Sequence, residues 1–183
     1  VLVSVSTVGI DLSLTGTGLC SIEKTTTSVF CETKLVQTTG HKGDSLTKRR
    51  SRLHRIKTEI RHFVLRLHPD LVVIEGPSIG SRYGSAHDRS GLWWLVVDDL
   101  KGAFPIAVVP PTSRAKYATG KGNAKKPAVM AGVAEHFDFT EVTDNNVADA
   151  TVLAAMGMRH LFFPVDDLPE KHTMALAGCE WPW

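Results

Sequence analysis

Four consecutive apolar residues, Leu71-Val72-Val73-Ile74, run straight into Glu75-Gly76-Pro77. A strand that is apolar at every position offers no side to water and must lie between two covering layers. That requirement points to a sheet with helices on both faces, and the flanking segments supply the parts. Val5 to Leu12 and Gly18 to Ile22 alternate as strands around the turn Ser13 to Thr17, and Val29 to Val36 extends them into an antiparallel meander. The period then lengthens. Leu46, Leu53, Ile56, Ile60, Phe63, Val64 and Leu67 fall on one stripe of a helix of about six turns. Beyond Pro77 the pattern predicts a helix from about Asp88 to Lys101, a strand from Ile106 to Val109, and a Gly/Lys loop reaching Lys125. Helices from Pro127 to His136 and from Asn145 to His160 complete the series. The expected fold is a single α/β domain, residues 1–161, with a mixed five-stranded sheet of three antiparallel strands followed by two parallel ones. Residues 162–183 read as an irregular tail packed on that domain.

A length of 183 residues suits one domain and is short for a two-lobed enzyme. No apolar run approaches the roughly 20 residues of a membrane span. The opening VLVSVSTVGI lacks a basic leader region and reads as a strand. Cys20, Cys31 and Cys179 form no CxxC pair, so neither a disulfide framework nor a zinc knuckle is expected, and a reducing cytoplasm fits best.

The net charge of +2 hides a lopsided distribution. From His41 to His68 nine Lys or Arg stand against Asp44 and Glu59. Arg114, Lys116, Lys121, Lys125 and Lys126 form a second basic segment free of acids, whereas Asp138 to Glu180 is strongly acidic. Two basic surfaces beside carboxylates suit a protein that holds phosphates near a metal, although charge runs also arise as solvated helix faces.

Three carboxylates stand out. Asp11 shares a strand face with Gly9 and Ser13, small neighbours that leave room for a ligand. Glu75 closes the apolar run at the carboxyl end of a central strand, where α/β sheets form their sites. Asp149 lies in the last long helix among Ala150, Ala154, Ala155 and Gly157, which let that helix approach the sheet. Carboxylates meeting in a cleft repel one another unless a cation such as Mg²⁺ or Mn²⁺ neutralises them. Each also has a plainer role open to it, as a turn or solvent-facing residue. Asp144, one residue before the helix, suits an N-cap. Asn146 shares a helical face with Asp149 and is placed to support a ligand or its water.

Four stretches, GIDLSLTGTG (Gly9 to Gly18), VVIEGP (Val72 to Pro77), KYATGKGNAKK (Lys116 to Lys126) and NNVADATVLA (Asn145 to Ala154), together resemble the RuvC-type Holliday junction resolvases of the ribonuclease H-like superfamily, with loops closest in character to phage-encoded members. The resemblance covers roughly residues 5–160. It implies that Asp11, Glu75 and Asp149 hold two Mg²⁺ or Mn²⁺ ions and that a DNA phosphodiester is hydrolysed to leave a 5′-phosphate. The family places an Asp or His where this chain has Asn146, so Asn146 and Asp144 compete for a fourth site position. It further implies DNA contacts from Lys116, Lys121, Lys125 and Lys126, and from Arg82, Tyr83 and Arg89, with Tyr83 as the aromatic that stacks at the junction and Ile79 as its rival. The implied partners are branched DNA and a second copy of the chain. Trp93 and Trp94 read as core or dimer contacts. GKG is not followed by Ser or Thr, so no nucleotide cofactor is expected. Two other readings stay open: a junction-binding protein with weak or no cutting activity, suggested by Asn146, and an actin-like phosphate-binding lobe, suggested by GIDLSLTGTG.

Overall fold

The protein is described by a computed structural model covering residues 4–77 and 85–183. Strands β1 (Val5–Asp11), β2 (Gly16–Lys24) and β3 (Val29–Gln37) form the antiparallel meander, and β4 (Leu71–Glu75) and β5 (Ile106–Val109) join it in parallel. The spatial order is β3-β2-β1-β4-β5. The expected mixed sheet is therefore present, and its apolar strand β4 lies inside it.

Period-2 alternation sorts the sheet into two cores. Val8, Ile10, Val72 and Ile74 face helices α1 (Leu46–Leu67) and α2 (Ala86–Lys101). On the other face, Leu71 and Val73 meet α5 (Asn145–His160), with α3 (Pro111–Thr119) and α4 (Lys126–His136) beside it. Helix α1 begins at Ser45, whose side chain accepts from the Lys48 amide, and ends at His68 in the left-handed region, φ 46°. Its stripe buries Ile56, Ile60, Phe63 and Val64, but Leu46, in the first turn, is exposed.

Helix α5 is buried from Val147 to Met158 because it rests on the sheet main chain. A Cβ on Gly9 would come within 2.0 Å of the Ala150 carbonyl oxygen, and one on Gly18 within 2.0 Å of that of Asn146. Only glycine permits this approach. Thr7 on β1 adds a tie, its hydroxyl donating to the Ala154 carbonyl at 2.8 Å.

Three expectations need correction. Strand β2 is longer than its apolar core suggests, and α2 starts two residues early. The segment read as a Gly/Lys loop contains α3, with Pro110 as N-cap, Pro111 in the first turn and Gly120 (φ 74°) as the left-handed C-cap. Proline lacks only an N–H that a first turn leaves unpaired, so Pro-Pro here starts a helix. The loop shrinks to Gly120 to Lys125. A Cβ on Gly122 would lie 3.1 Å from the Thr112 carbonyl oxygen, so the loop folds back over the start of α3.

The last segment carries helix α6 (Glu170–Thr173) and a 3₁₀ turn (Met174–Gly178), then an antiparallel bridge from Glu180 to Val108 on β5. Trp181 stacks on His160 with ring centroids 4.1 Å apart. Asp166 accepts from the Tyr117 hydroxyl at 2.7 Å and pairs with Arg159, which fastens this segment to α3 and α5. Among the described residues no helix is long and apolar enough to cross a membrane.

Candidate active site

The parallel pairing of β1 with β4 sets Ile10 opposite Ile74, so the next residues, Asp11 and Glu75, end adjacent strands at the same edge. Asp11 faces α5, the side it shares with Gly9. Asp149 projects from the second turn of α5 toward both. The Trp93 indole N–H donates to the Glu75 carbonyl at 3.0 Å and fixes the strand end, while Trp94 is exposed.

Arg114 of α3 stands at the centre of the group. Its Nε donates to Glu75 Oε2 at 2.5 Å and its Nη1 to Asp149 Oδ1 at 2.5 Å. The guanidinium is nearly enclosed, with 12 % of its side chain exposed, and Asp149 is more deeply buried still. Burial raises the Asp11 pKa well above its usual value, and the charges of Glu75 and Asp149 raise it further against Arg114 and Lys126. Burial likewise raises Asp149 to about 6; Arg114 and Lys126 oppose the shift and Glu75 adds to it. Burial disfavours the Arg114 cation, yet the surrounding carboxylates outweigh it and its pKa is raised. The cleft thus holds three carboxylates that repel one another and one enclosed cation.

Hard oxygen donors of this kind match Mg²⁺ or Mn²⁺. The shifts on Asp11 and Asp149 mark a site where extra positive charge would be stabilising. Among the described residues, however, no group of three or more His, Cys, Asp or Glu is arranged to hold a metal ion as it stands. Arg114 occupies the space between the carboxylates.

The other predicted residues divide. Asp144 caps α5, its Oδ1 accepting from the amides of Asn146 (2.8 Å) and Val147 (3.3 Å), so that oxygen is committed to the helix start. Asn146 lies over β2, its Nδ2 3.0 Å from where a Gly16 Cβ would be. Lys126 opens α4 close enough for its charge to act on Asp11 and Asp149. Lys116 is half-buried on α3, not in a loop, and Lys121 and Lys125 are exposed. Arg89 lines a cleft of about 140 Å³ with Leu12, Glu75, Pro77 and Trp93. Arg82, Tyr83 and Ile79 lie outside the described residues.

The first basic segment is partly spent on the fold. Arg49 pairs with Asp88, Lys57 and Arg61 with Asp99 (3.2 and 3.1 Å), and Arg66 with Glu32 (2.5 Å). Arg52 donates to the Leu14 carbonyl at 2.6 Å. Conversely, sequence reasoning counted Arg114 as one basic residue among five and missed its place. Recognising Pro110-Pro111 as a helix start would have put it one turn inside a helix beginning beside the strand edge.

No protein-family profile and no curated protein sequence matches the chain. Solved structures do. The Thermus thermophilus RuvC structure superposes with a TM-score of 0.67 at 19% identity, over 86% of this chain and 97% of that one. The fold is that of the RuvC-type resolvases. T. thermophilus RuvC in complex with a Holliday junction substrate gives 0.63 at 15% identity over 87% of this chain and 97% of that one. The Fowlpox virus resolvase with its Holliday junction DNA gives 0.54 at 12% over 85% and 98%. The RuvC-type fold is ribonuclease H-like, and the five-stranded order found here agrees with it.

Proposed function

We propose that this protein is a divalent-metal-dependent, structure-specific DNA endonuclease that resolves four-way junctions and acts on other branched DNA by paired phosphodiester hydrolysis. The observation that carries this reading is the meeting of Asp11, Glu75 and Asp149, from β1, β4 and α5, at one edge of a RuvC-type sheet with an enclosed cation between them. The solved structures with the same fold include two held with Holliday junction DNA.

In this reading Asp11, Glu75 and Asp149 would together hold two Mg²⁺ or Mn²⁺ ions through their carboxylate oxygens. Bound there, such ions would supply Lewis-acid chemistry for hydrolysis of a phosphodiester by water to a 3′-hydroxyl and a 5′-phosphate. Lys126 and Lys116 hold the phosphates beside the cleft, Lys121, Lys125 and Arg89 extend that basic surface, and the main chain of the Gly120 to Lys125 loop allows close approach. Arg82 and Tyr83 complete the junction contact, with Tyr83 stacking on an exposed base. Asn146 supports the Asp149 side of the site. Two copies related by two-fold symmetry supply the two cuts a junction requires.

A second reading, junction binding without cutting, is favoured by Asn146 at a position where the family places an acid or His. Incubating the protein with an end-labelled four-way junction, a flap and a linear duplex, in Mg²⁺, Mn²⁺ and chelator, separates the two. Paired metal-dependent nicks in the junction, lost in Asp11→Asn while junction binding persists, are expected. Tight binding without nicks in either metal establishes the second reading, and full activity of Asp11→Asn refutes the site.

A further inference from the structure

We propose that Arg114 is the resident cation of the metal-free site, competing with divalent ions for Glu75 and Asp149 and so setting how tightly the protein takes up its metal. The inference rests on the reading of Asp11, Glu75 and Asp149 as metal ligands. It concerns a residue that this reading leaves without a role.

The geometry is specific. One guanidinium spans two carboxylates from different elements, Glu75 at the end of β4 and Asp149 on α5, through two separate nitrogens at 2.5 Å each. A planar fork with fixed donors suits that task, whereas a lysine would reach one partner at a time. Both bonds engage carboxylate oxygens that a metal ion would also draw on, while Glu75 Oε1 and Asp149 Oδ2 stay outside them. An ion entering here competes with Arg114 for the same negative charge and meets the repulsion of the guanidinium, and release of Arg114 from one carboxylate relieves both. Its position allows this. Arg114 lies near the start of α3, with 12 % of its side chain still open to solvent. Without it, the three acids would face each other with less positive charge to offset them, Lys126 still acting on Asp11 and Asp149.

The competition has a sign opposite to that of an ordinary supporting residue. Removing a residue that merely shapes a site weakens metal binding; removing a competitor tightens it. The test is titration of Mn²⁺ and Ca²⁺ into the full-length protein at pH 8, without DNA, by calorimetry and by the Mn²⁺ paramagnetic signal. Wild type is compared with Arg114→Gln and Arg114→Lys. A charge-assisted hydrogen bond of ordinary strength predicts about a tenfold to hundredfold tightening in Arg114→Gln. Arg114→Lys, which keeps the charge and loses one contact, falls between Arg114→Gln and wild type. Thermal unfolding in chelator adds a second readout: Arg114→Gln melts lower than wild type, and divalent ion raises its midpoint by the larger amount. Equal or weaker metal affinity in a folded Arg114→Gln, with normal affinity in wild type, overturns this inference alone. If neither protein binds a divalent ion, the metal reading falls and this inference with it.

Discussion

Replacing Asp149 by Asn should stabilise the metal-free protein, and the gain should depend on pH in a defined direction. Asp149 is 3 % exposed, and burial holds its pKa at about 6 against an ordinary value of 3.8, even with Arg114 opposing the shift. A carboxyl whose folded pKa is raised is protonated more readily in the folded state. It therefore costs stability above pH 6, and that cost disappears as pH falls through 6 toward 3.8. A difference of about two pH units corresponds to ~3 kcal/mol. For a chain of this size that is roughly 6–12 °C in melting temperature. Asn keeps the shape and removes the charge. In chelator, Asp149→Asn should thus melt above wild type at pH 8, with the gap closing toward pH 4. Burial also lowers the pKa of His160, which makes the fold lose stability on acidification, but that group is common to both proteins and cancels in the difference. Denaturant and thermal unfolding across pH 4–8 measure the gap. A variant less stable than wild type at pH 8, or a gap that does not change with pH, would refute the electrostatic account. Saturating divalent ion should favour wild type and shrink the gap.

The remaining expectations are simpler. Lys116→Ala with Lys126→Ala should weaken junction binding and reduce the slope of log affinity against log salt by about 2, measured by titration at several salt concentrations; an unchanged slope removes both from the phosphate contacts. Asp144→Ala should cost ~1 kcal/mol in a denaturant melt, the value of an N-cap, and leave divalent-ion affinity as in wild type. Gly18→Ala should strongly lower the melting temperature, because the new methyl meets the Asn146 main chain at 2.0 Å and α5 must lift from the sheet.

Much of this was legible in the sequence where one local rule sufficed. The alternation of Val8 and Ile10 against Gly9 and Asp11 set Asp11 on the face of the small residues, and the run LVVI set Glu75 at the end of a central strand. That the first face meets α5 and that the two strand ends adjoin came from the pairing of β1 with β4 and the packing of α5. The alanines around Asp149 announced a helix lying close to the sheet. What was hidden depended on partners distant in the chain. Arg114 lies 39 residues from Glu75 and 35 from Asp149, and its aim is fixed by a helix whose Pro-Pro start reads equally well as a break. Likewise the basic run on α1 looks free until Asp88, Asp99 and Glu32 come up against it. Leu46 kept the helical period but lay past the covering layer, since periodicity does not say where a neighbour ends.

The bridge between Glu180 and Val108 bears on how the molecule stays separate from its neighbours. Strand β5 is the last in the sheet, four apolar residues long, and its outer main chain would be open to any passing extended segment. Two hydrogen bonds of 2.9 Å, from the Val108 amide to the Glu180 carbonyl and back, fill that row from within the same chain. At the opposite margin, β3 carries Glu32 and Lys34, held by Arg66 and Glu59 of α1, and charge does the same job there. Trimming the chain before Glu180 would spare every carboxylate of the cleft and yet leave Ile106–Val109 as an adhesive border, so clumping would set in before the chemistry suffered.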